Sequence, residues 1–350
     1  MMHIYFVSLG CDKNLVDSEK MLALLTKEGY ELTDEPEQAE IIVVNTCAFI
    51  HDAKQESIET LLELAEYKKT GKCKVLIASG CLAERYQDTI LEEMPEIDGV
   101  IGTTAYDDIA VVVKKALGGE HAALTKELDY LPVHLTDRVT SGMSHVGYLK
   151  ISEGCNKNCT YCIIPSMRGH YRSVPMEDLI EEAEKLAEKG IRELILVAQE
   201  TTLYGVDLYH EKKLPELLRR LSEIRDISWI RVLYCYPEEI TVELAQELRE
   251  NPKVCHYLDL PIQHCNDEVL KRMGRRTTKA ELIEKIKMLR KEIPDIALRT
   301  TLISGFPGET NEQHEECIEF VREMKFDRLG VFPYSEEEGT KAADYPEQID

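Results

Sequence analysis

The 350-residue chain is 43% hydrophobic and 31% charged, which is the composition of an ordinary globular protein rather than a fibrous or disordered one. Its 65 acidic residues exceed its 42 basic ones, and the net charge of -23 disfavours attraction to nucleic acid while suiting a basic protein partner. No stretch approaches the roughly 20 apolar residues of a membrane helix, and no secretory signal opens the chain. We therefore expect a cytoplasmic protein that does not insert into or bind a membrane.

Short apolar runs alternate with amphipathic segments in the first third of the chain, as in βα units around a parallel sheet. The predicted strands are His3–Ser8, Ile41–Asn45, Lys74–Ser79 and Gly99–Ile101. The helical segments that follow them are Asp17–Glu28, Asp52–Lys68, Ala83–Glu93 and Tyr106–Leu117. This pattern predicts an open doubly wound α/β domain over residues 1–120, and a linker over residues 121–143, where the periodicity fades.

A second βα series follows, with helical segments between consecutive strands. Its predicted strands are Gly147–Ile151, Glu193–Ala198, Trp229–Tyr234, His256–Leu260, Ala297–Ile303 and Arg328–Phe332. Six parallel strands with right-handed crossovers predict a partial (β/α)6 barrel over residues 144–335, with all carboxyl ends on one rim. Residues 336–350 are a polar tail that we expect to be disordered or a cut end.

The chain has eleven cysteines, which in a reducing compartment favours metal ligation or catalysis over disulfides. We interpret six of them as ligands. The other five are interpreted as small apolar fillers of the core: Cys73, Cys235, Cys255, Cys265 and Cys317.

A tight cysteine motif follows the first strand of the second series. Cys155, Cys159 and Cys162 have the spacing C-x3-C-x2-C on one rim loop. Three thiolates on such a loop can hold a cubane iron–sulfur cluster and leave one iron open to a substrate. The alternatives are a zinc knuckle, which needs a fourth Cys or His nearby, and chance clustering.

This spacing, the aromatic Tyr161 before the last cysteine and the barrel context resemble the radical S-adenosylmethionine superfamily. The resemblance implies that a reduced 4Fe-4S cluster on Cys155, Cys159 and Cys162 cleaves S-adenosylmethionine to a 5′-deoxyadenosyl radical, which abstracts a hydrogen atom. Tyr161 is then expected beside the cofactor.

Other rim residues are candidates for the cofactor pocket because they follow barrel strands. Gln199 and Glu200 are candidates to hold the methionine ammonium, and the loop from Gly305 to Glu309 would let the backbone approach the adenosine. Gln263 and His264 are further candidates. The alternatives are a helix cap for Gln199 and Glu200, a simple turn at Gly305, and a structural role for His264.

A short basic run, Arg272, Arg275 and Arg276, stands out in this acidic chain. Such a run usually lies on a solvated loop. The alternative is contact with a carboxylate of the cofactor or substrate, since arginine binds carboxylates in a bidentate manner.

Three cysteines of the first domain follow predicted strands. Cys11, Cys47 and Cys81 come at or just after the ends of the first three strands, where an open parallel sheet forms its ligand-binding crevice. They predict a second metal site. Single cysteines after strands are also common as core filler.

The segments Ser8–Glu19, Asn45–Cys47 and Ser79–Cys81 resemble the amino-terminal domain of the methylthiotransferase family. The resemblance implies a second 4Fe-4S cluster on Cys11, Cys47 and Cys81 that holds the sulfur to be inserted, with S-adenosylmethionine as both methyl donor and radical source. Together with Glu153–Cys155 and Ala198–Gly205, the motifs are most similar to the branch that modifies small-subunit ribosomal protein S-twelve.

Two features depart from the family pattern. Asp12 stands where many members have proline, which leaves the ligand Cys11 unchanged. Family members also continue into a small substrate-binding β-barrel, which we expect to be absent from this chain, so that either the chain is truncated or substrate grip is supplied otherwise.

The favoured hypothesis is methylthiolation of the β-carbon of an aspartate in the ribosomal protein. One alternative is methylthiolation of a modified adenosine in transfer RNA, and another is a non-catalytic two-cluster electron carrier or ribosome-binding factor. The expected partners are the small-subunit ribosomal protein or the ribosomal subunit, a low-potential electron donor such as flavodoxin or ferredoxin, and a sulfur source.

Overall fold

Two parallel sheets, one in each of two structural units, account for the strand pattern. The computed structural model describes residues 2–132 and 137–349. The first unit contains the chain up to Gly142 together with Ile164–His170, and the second contains Met143–Ile163 and the chain from Tyr171 onward.

The first unit is built on a six-stranded parallel sheet in the order β2-β1-β3-β4-β5-β6. Its strands are β1 His3–Ser8, β2 Glu31–Leu32, β3 Ile41–Thr46, β4 Val75–Gly80, β5 Gly99–Ile101 and β6 Ala122–Leu124. Its helices are α1 Asp12–Lys27, α2 His51–Ala65, α3 Tyr67–Thr70, α4 Cys81–Arg85, α5 Gln87–Glu93, α6 Ile109–Leu117 and α7 Ile164–Arg168. Every residue of β3 and β4 is buried, as expected for central strands covered on both faces.

The strand order creates a topological switch point between β1 and β3 within this sheet. The chain runs from β1 to β2 on one side and then crosses to β3 on the other, so β1 and β3 flank the topological switch point. Ligands of open α/β sheets bind outside the carboxyl ends of the strands at this point. Cys11 and Cys47 both follow strands that flank it.

The α/β prediction for this unit is confirmed, and its four predicted strands agree with the structure to within one residue at each end. The short edge strands β2 and β6 escaped prediction because two or three residues carry no periodicity. Helix α1 begins at Asp12 rather than Asp17, because its first turn is polar and gives no apolar repeat. Two predicted helices are each divided, into α2 with α3 and α4 with α5.

The second unit contains the predicted partial barrel, a parallel sheet in the order β14-β13-β12-β11-β10-β7. Its strands are β7 Val146–Lys150, β10 Glu193–Val197, β11 Trp229–Val232, β12 Val254–Asp259, β13 Ala297–Ser304 and β14 Arg328–Pro333, beside a two-stranded antiparallel pair, β8 Ser152–Glu153 and β9 Arg172–Ser173. Its helices are α8 Met176–Glu188, α9 Val206–Tyr209, α10 Leu214–Ser222, α11 Val242–Glu250, α12 Asp267–Arg272, α13 Lys279–Glu292 and α14 Asn311–Met324. Apolar side chains of strands and helices form one core between the two layers.

The predicted linker, residues 121–143, contains ordered structure of the first unit. It provides strand β6, and Arg138 forms a buried ion pair with Glu19 of α1. Ser141 also donates its backbone N–H to Glu19, at 2.8 Å. Residues 133–136 of this segment lie outside the described part of the chain. Helix α7 likewise differs from the predicted division, since it packs with the first unit although it follows the barrel's cysteine loop.

The expectation of a disordered tail was wrong. Residues Lys341–Asp344 form a turn of 3-10 helix, and Ala342 is fully buried in a small cluster with Val269, Met273 and Phe306. The backbone N–H of Ala342 donates to the Thr160 carbonyl at 2.9 Å. The error arose because one small apolar residue in a polar stretch provides no pattern.

Replacing Ala342 by Glu should destabilise the second unit by about 3 kcal/mol, because a carboxylate would enter an apolar cluster without a partner. Thermal unfolding followed by circular dichroism measures the effect. The matched control is Ala343→Glu at the half-buried next position, which should change stability little. Equal unfolding temperatures for the two variants would contradict the observed packing of the tail.

Candidate metal centres

The first cysteine trio lies at the carboxyl ends of three adjacent strands. Cys11 is the residue before α1, Cys47 follows β3 directly, and Cys81 follows β4 as the first residue of α4. Cys47 and Cys81 are buried, and Cys11 is half-buried. Burial raises the pKa of Cys47 to about 12, with further increases from the nearby Cys81 and Cys11 thiols. The Cys81 and Cys11 thiols thus lie close enough to Cys47 to affect its ionisation.

Two glycines allow the backbone to approach this trio closely. Gly10 has a φ of 86°, and a Cβ on it would lie 2.8 Å from the Cβ of Cys47. Gly80 has a φ of 89°, and a Cβ there would collide with Asn45 and with the backbone of Thr46. Glycine adopts a positive φ readily and has no Cβ that would collide with these neighbours. Other residues are therefore excluded at both positions.

Asn14 of α1 links the loops that carry the first trio. Its amide nitrogen donates to the carbonyls of Leu9 and Thr46, each at 3.0 Å. These carbonyls lie two residues before Cys11 and one residue before Cys47. The Asn14 side chain is fully buried, so its hydrogen bonds fix the two loops relative to each other.

Arg168 of α7 completes this polar network. Its guanidinium donates to the Asn14 side-chain oxygen, to Asp17 at 2.8 Å and to the Cys81 sulfur at 3.5 Å. Its positive charge also opposes the rise in the pKa of Cys47. The sequence motifs contain Asn14, but no sequence signal connected Arg168 to residues more than 80 positions away.

The second trio lies on the loop after β8. Cys155 and Cys159 are buried and Cys162 is half-buried. Burial raises the pKa of Cys155 to about 11, although the Lys157 N–H donates to its sulfur at 3.4 Å. The loop is anchored to the barrel because the Thr160 N–H donates to the Met273 carbonyl at 2.9 Å.

Aromatic and cationic side chains surround Cys159. The Tyr236 hydroxyl lies 3.9 Å from its sulfur, and the Arg275 guanidinium stacks 4.3 Å from the centre of the Tyr236 ring. The ammonium of Lys157 lies 4.9 Å from the same ring. Sequence reasoning identified Arg275 but missed Tyr236 and Lys157, since a single tyrosine after a strand carries no distinguishing pattern.

Gln199 and Glu200 lie after β10 with buried oxygen atoms that have no hydrogen-bond partner among the described residues. The Gln199 side-chain nitrogen donates to Glu153 at 2.8 Å, which leaves Gln199 Oε1 unsatisfied. Glu200 is fully buried, and this burial raises its pKa to about 7. Its Oε2 is likewise unsatisfied. Buried acceptors without donors are costly, which makes these two oxygens candidates to bind a ligand that donates hydrogen bonds.

The remaining pocket candidates are Gln263 and Gly305, after β12 and β13, and Tyr161 on the loop of the second trio. Gly305 has a φ of 74° and no atom within 4 Å of the place where a side chain would begin, so its surroundings are open. Gln263 has a left-handed φ of 69°, and its N–H donates to the Thr301 carbonyl at 2.9 Å. Tyr161 packs edge to face against Phe306, with ring centroids 6.4 Å apart. Their role in cofactor binding stays a prediction.

His264 lies with Cys265 and Cys317 in a buried group whose ligand atoms are within 4.8 Å of one another. Both nitrogens of His264 are already used, since Nδ1 accepts the Asn266 N–H at 3.0 Å and Nε2 lies 3.2 Å from a Glu309 oxygen. This arrangement agrees with a structural histidine, and with Cys265 and Cys317 as core residues.

The three arginines of the basic run have different environments. Arg272 binds the Gly308 carbonyl and lies 3.5 Å from Glu347, whereas Arg275 is buried and Arg276 is exposed. Only Arg276 matches the solvated-loop interpretation.

Comparisons with known proteins found matching family models and similar proteins. Two family models match: the radical SAM superfamily over residues 149–321, and the uncharacterized protein family UPF0004 over residues 3–102. A protein from Lachnoclostridium phytofermentans named ribosomal protein uS12 methylthiotransferase RimO is 62% identical over 99% of this chain and 79% of its own length. The chain belongs to the uS12 methylthiotransferase family. Relatives of the same name from Clostridium perfringens and Clostridioides difficile are 54% and 49% identical, over 98% and 100% of this chain and 77% and 79% of their own lengths.

Solved structures with the same fold have low sequence identity. The radical S-adenosylmethionine methyltransferase TsrM from Kitasatospora setae has a TM-score of 0.66 at 16% identity, over 95% of this chain and 73% of its own. The cobalamin-dependent enzyme OxsB has a TM-score of 0.62 at 13% identity, over 99% of this chain and 55% of its own. These structures confirm the predicted fold class, and the family models and the relatives confirm the predicted membership of a radical SAM methylthiotransferase family. Within the described residues, no helix has the length and apolar character to cross a membrane.

Replacing Asn14 by Ala should lower the free energy of unfolding by about 2–4 kcal/mol, because two buried carbonyls and a guanidinium would lose a partner. Urea unfolding under anaerobic conditions measures this loss. Asn311→Ala, at an exposed position on α14, is the control and should have little effect. Similar midpoints for the two variants would contradict the role of Asn14 as a link between the cysteine loops.

Proposed function

We propose that this chain methylthiolates the β-carbon of an aspartate in ribosomal protein uS12 by a radical S-adenosylmethionine reaction. The observation that carries the proposal is the presence of two separate cysteine trios in a member of this family, one at the carboxyl ends of three parallel strands and the other on the loop after β8. Its relatives are named for uS12, which favours the protein substrate over transfer RNA. The net charge of -23 also suits a basic ribosomal protein.

The donor sets fit two iron–sulfur clusters. Cys11, Cys47 and Cys81 would hold one 4Fe-4S cluster, and Cys155, Cys159 and Cys162 would hold the other. Three thiolates match the ligands such clusters take, and a cubane with three protein ligands leaves one iron open. When bound, these groups supply an electron that cleaves S-adenosylmethionine at the barrel trio and an open iron that carries sulfur at the first trio.

The unsatisfied acceptors beside the barrel trio fit the amino group of S-adenosylmethionine. Gln199 Oε1 and Glu200 Oε2 are buried and lack donors among the described residues, and an amino group supplies donors. Glu153 orients Gln199, because it accepts the other half of the Gln199 amide. Lys150 in turn binds Glu153, at 2.7 Å. These residues would hold the cofactor's amino end in a site with little water.

Gly305, Tyr161 and Gln263 would form other parts of the cofactor pocket. The open space at Gly305 leaves room for the adenosine, while Tyr161 and Gln263 would limit the pocket on neighbouring loops. The reaction also requires a low-potential electron donor of the flavodoxin or ferredoxin class and a source of sulfur, neither of which the chain contains.

Iron and sulfide counts on anaerobically reconstituted protein should give about eight of each per chain. Replacing either trio by alanine should reduce both counts to about four, since each trio holds one cluster. The control is Cys73→Ala with Cys255→Ala, which removes thiols outside both trios and should leave the counts unchanged. About four irons in the unmodified protein would overturn the two-cluster proposal.

Incubation of the reduced protein with S-adenosylmethionine, sulfide and uS12 should produce 5′-deoxyadenosine and a methylthio group on one aspartate, seen by peptide mass spectrometry. Loss of either trio should abolish the methylthio product, because sulfur insertion needs both centres. Modified nucleosides in transfer RNA with unmodified uS12 would instead favour the nucleic-acid substrate.

Affinity for S-adenosylmethionine should rise with pH through about 7, because the ionised Glu200 accepts hydrogen bonds from the cofactor's amino group more strongly than its protonated form does. Below pH 7 the affinity should fall by up to about tenfold per pH unit relative to Glu200→Gln. Isothermal titration calorimetry between pH 5.5 and 8 measures the affinity of both proteins for the cofactor. Comparing the two pH profiles removes the contribution of the cofactor's own ionisation. Glu223→Gln, at an exposed position, should keep the wild-type profile. Parallel profiles for wild type and Glu200→Gln would contradict contact between Glu200 and the cofactor.

A further inference from the structure

Arg168 is a buried cation placed beside the first cysteine trio. Its side chain is 4% exposed, as is that of its partner Asp17 on α1. Taking this ion pair out of water is costly, and the Coulombic attraction between the partners often fails to offset the loss of hydration. The burial of Arg168 therefore calls for an explanation beyond stability.

The guanidinium of Arg168 contacts one cysteine directly and is linked to the loops of the other two through Asn14. It donates directly to the Cys81 sulfur at 3.5 Å. It also donates to Asn14, whose amide binds the carbonyls of Leu9 and Thr46 next to the other two cysteines. One side chain thus contacts a candidate ligand and supports the group that positions the other two.

Hydrogen bonds to cluster sulfurs and fixed nearby charges are the means by which proteins set cluster potentials. A cluster becomes more negative when it is reduced, so a neighbouring positive charge favours the reduced form. The carboxylate of Asp17 at 2.8 Å opposes this effect by partly neutralising the guanidinium. Arg168 and Asp17 should therefore have opposite effects on the reduction potential of a cluster at this trio.

We propose that Arg168 is a positioning residue for the cluster on Cys11, Cys47 and Cys81, where it orients Cys81 and raises the reduction potential of that cluster, while Asp17 limits the increase. This inference rests on the first cluster of the proposed function. It assigns a role to α7, which lies just after the second cysteine trio in the chain but packs within the first unit.

The test uses the full chain with Cys155, Cys159 and Cys162 replaced by alanine, so that only the first cluster is present. Its midpoint potential is measured by titration with dithionite followed by electron paramagnetic resonance. Arg168→Gln should shift the potential down, and Arg168→Lys should shift it less because the charge is kept. Asp17→Asn should shift it up. A structural ion pair without electrostatic influence would give no such reversal of sign, since both substitutions break the same pair.

Arg138→Gln is the matched control. Arg138 is as buried as Arg168 and is paired with Glu19, which lies on the same helix as Asp17 but two residues farther from Cys11 along the chain. Its loss should destabilise the protein without moving the potential. An equal shift in Arg138→Gln would overturn the proposal, as would unchanged potentials in Arg168→Gln and Asp17→Asn.

Iron content separates this inference from the proposed function. The parent variant should retain about four irons per chain; their absence would refute the first cluster itself. If Arg168→Gln loses its iron while Arg138→Gln keeps it at the same unfolding temperature, the positioning role is supported. The potentials of Arg168→Lys and Asp17→Asn then decide the electrostatic role, which opposite shifts support and shifts of one sign overturn.

Discussion

The convergence of parallel strands at their carboxyl ends is the constraint on which the first cysteine trio and the candidates on the barrel rim depend. In the first unit it brings together Cys11, Cys47 and Cys81, which are 36 and 34 residues apart in the chain. In the barrel it places Gln199 and Glu200 on the same rim as the Cys155 loop. In each unit the candidate cysteines and pocket residues lie on short loops that follow the carboxyl ends of strands.

Buried polar groups at these edges fall into two classes. Asn14 and Arg168 are satisfied by other protein groups, and they hold the first trio in one arrangement. Gln199 and Glu200 each have a buried oxygen without a hydrogen-bond donor among the described residues. A ligand that donates a hydrogen bond to these oxygens would remove the cost of burying them. The first class provides a fixed geometry, whereas the second would provide affinity for the cofactor under the proposed function.

Much of the fold followed from the sequence, because buried parallel strands are continuous apolar runs with turn residues at their ends. The cysteines could be assigned to strand ends for the same reason, and the resemblance to the family implied two clusters. Arg168, Tyr236 and Lys157 could not be predicted, since their contacts depend on how distant loops pack. The docked tail was missed because a single buried alanine, Ala342, anchors it. The roles of the cysteines and of the pocket residues remain predictions that the proposed experiments test.

Cys11 and Asn14 occupy the start of the same helix, and this has a consequence for how the chain can vary. An α-helix turns about 100° per residue, so one residue inserted between them would rotate the Asn14 amide away from both carbonyls that it binds. The spacing between these two residues should therefore tolerate no insertion or deletion. The far end of α1, around Lys27, carries no such restriction, and changes in length there would leave the sulfur-bearing loops where they are.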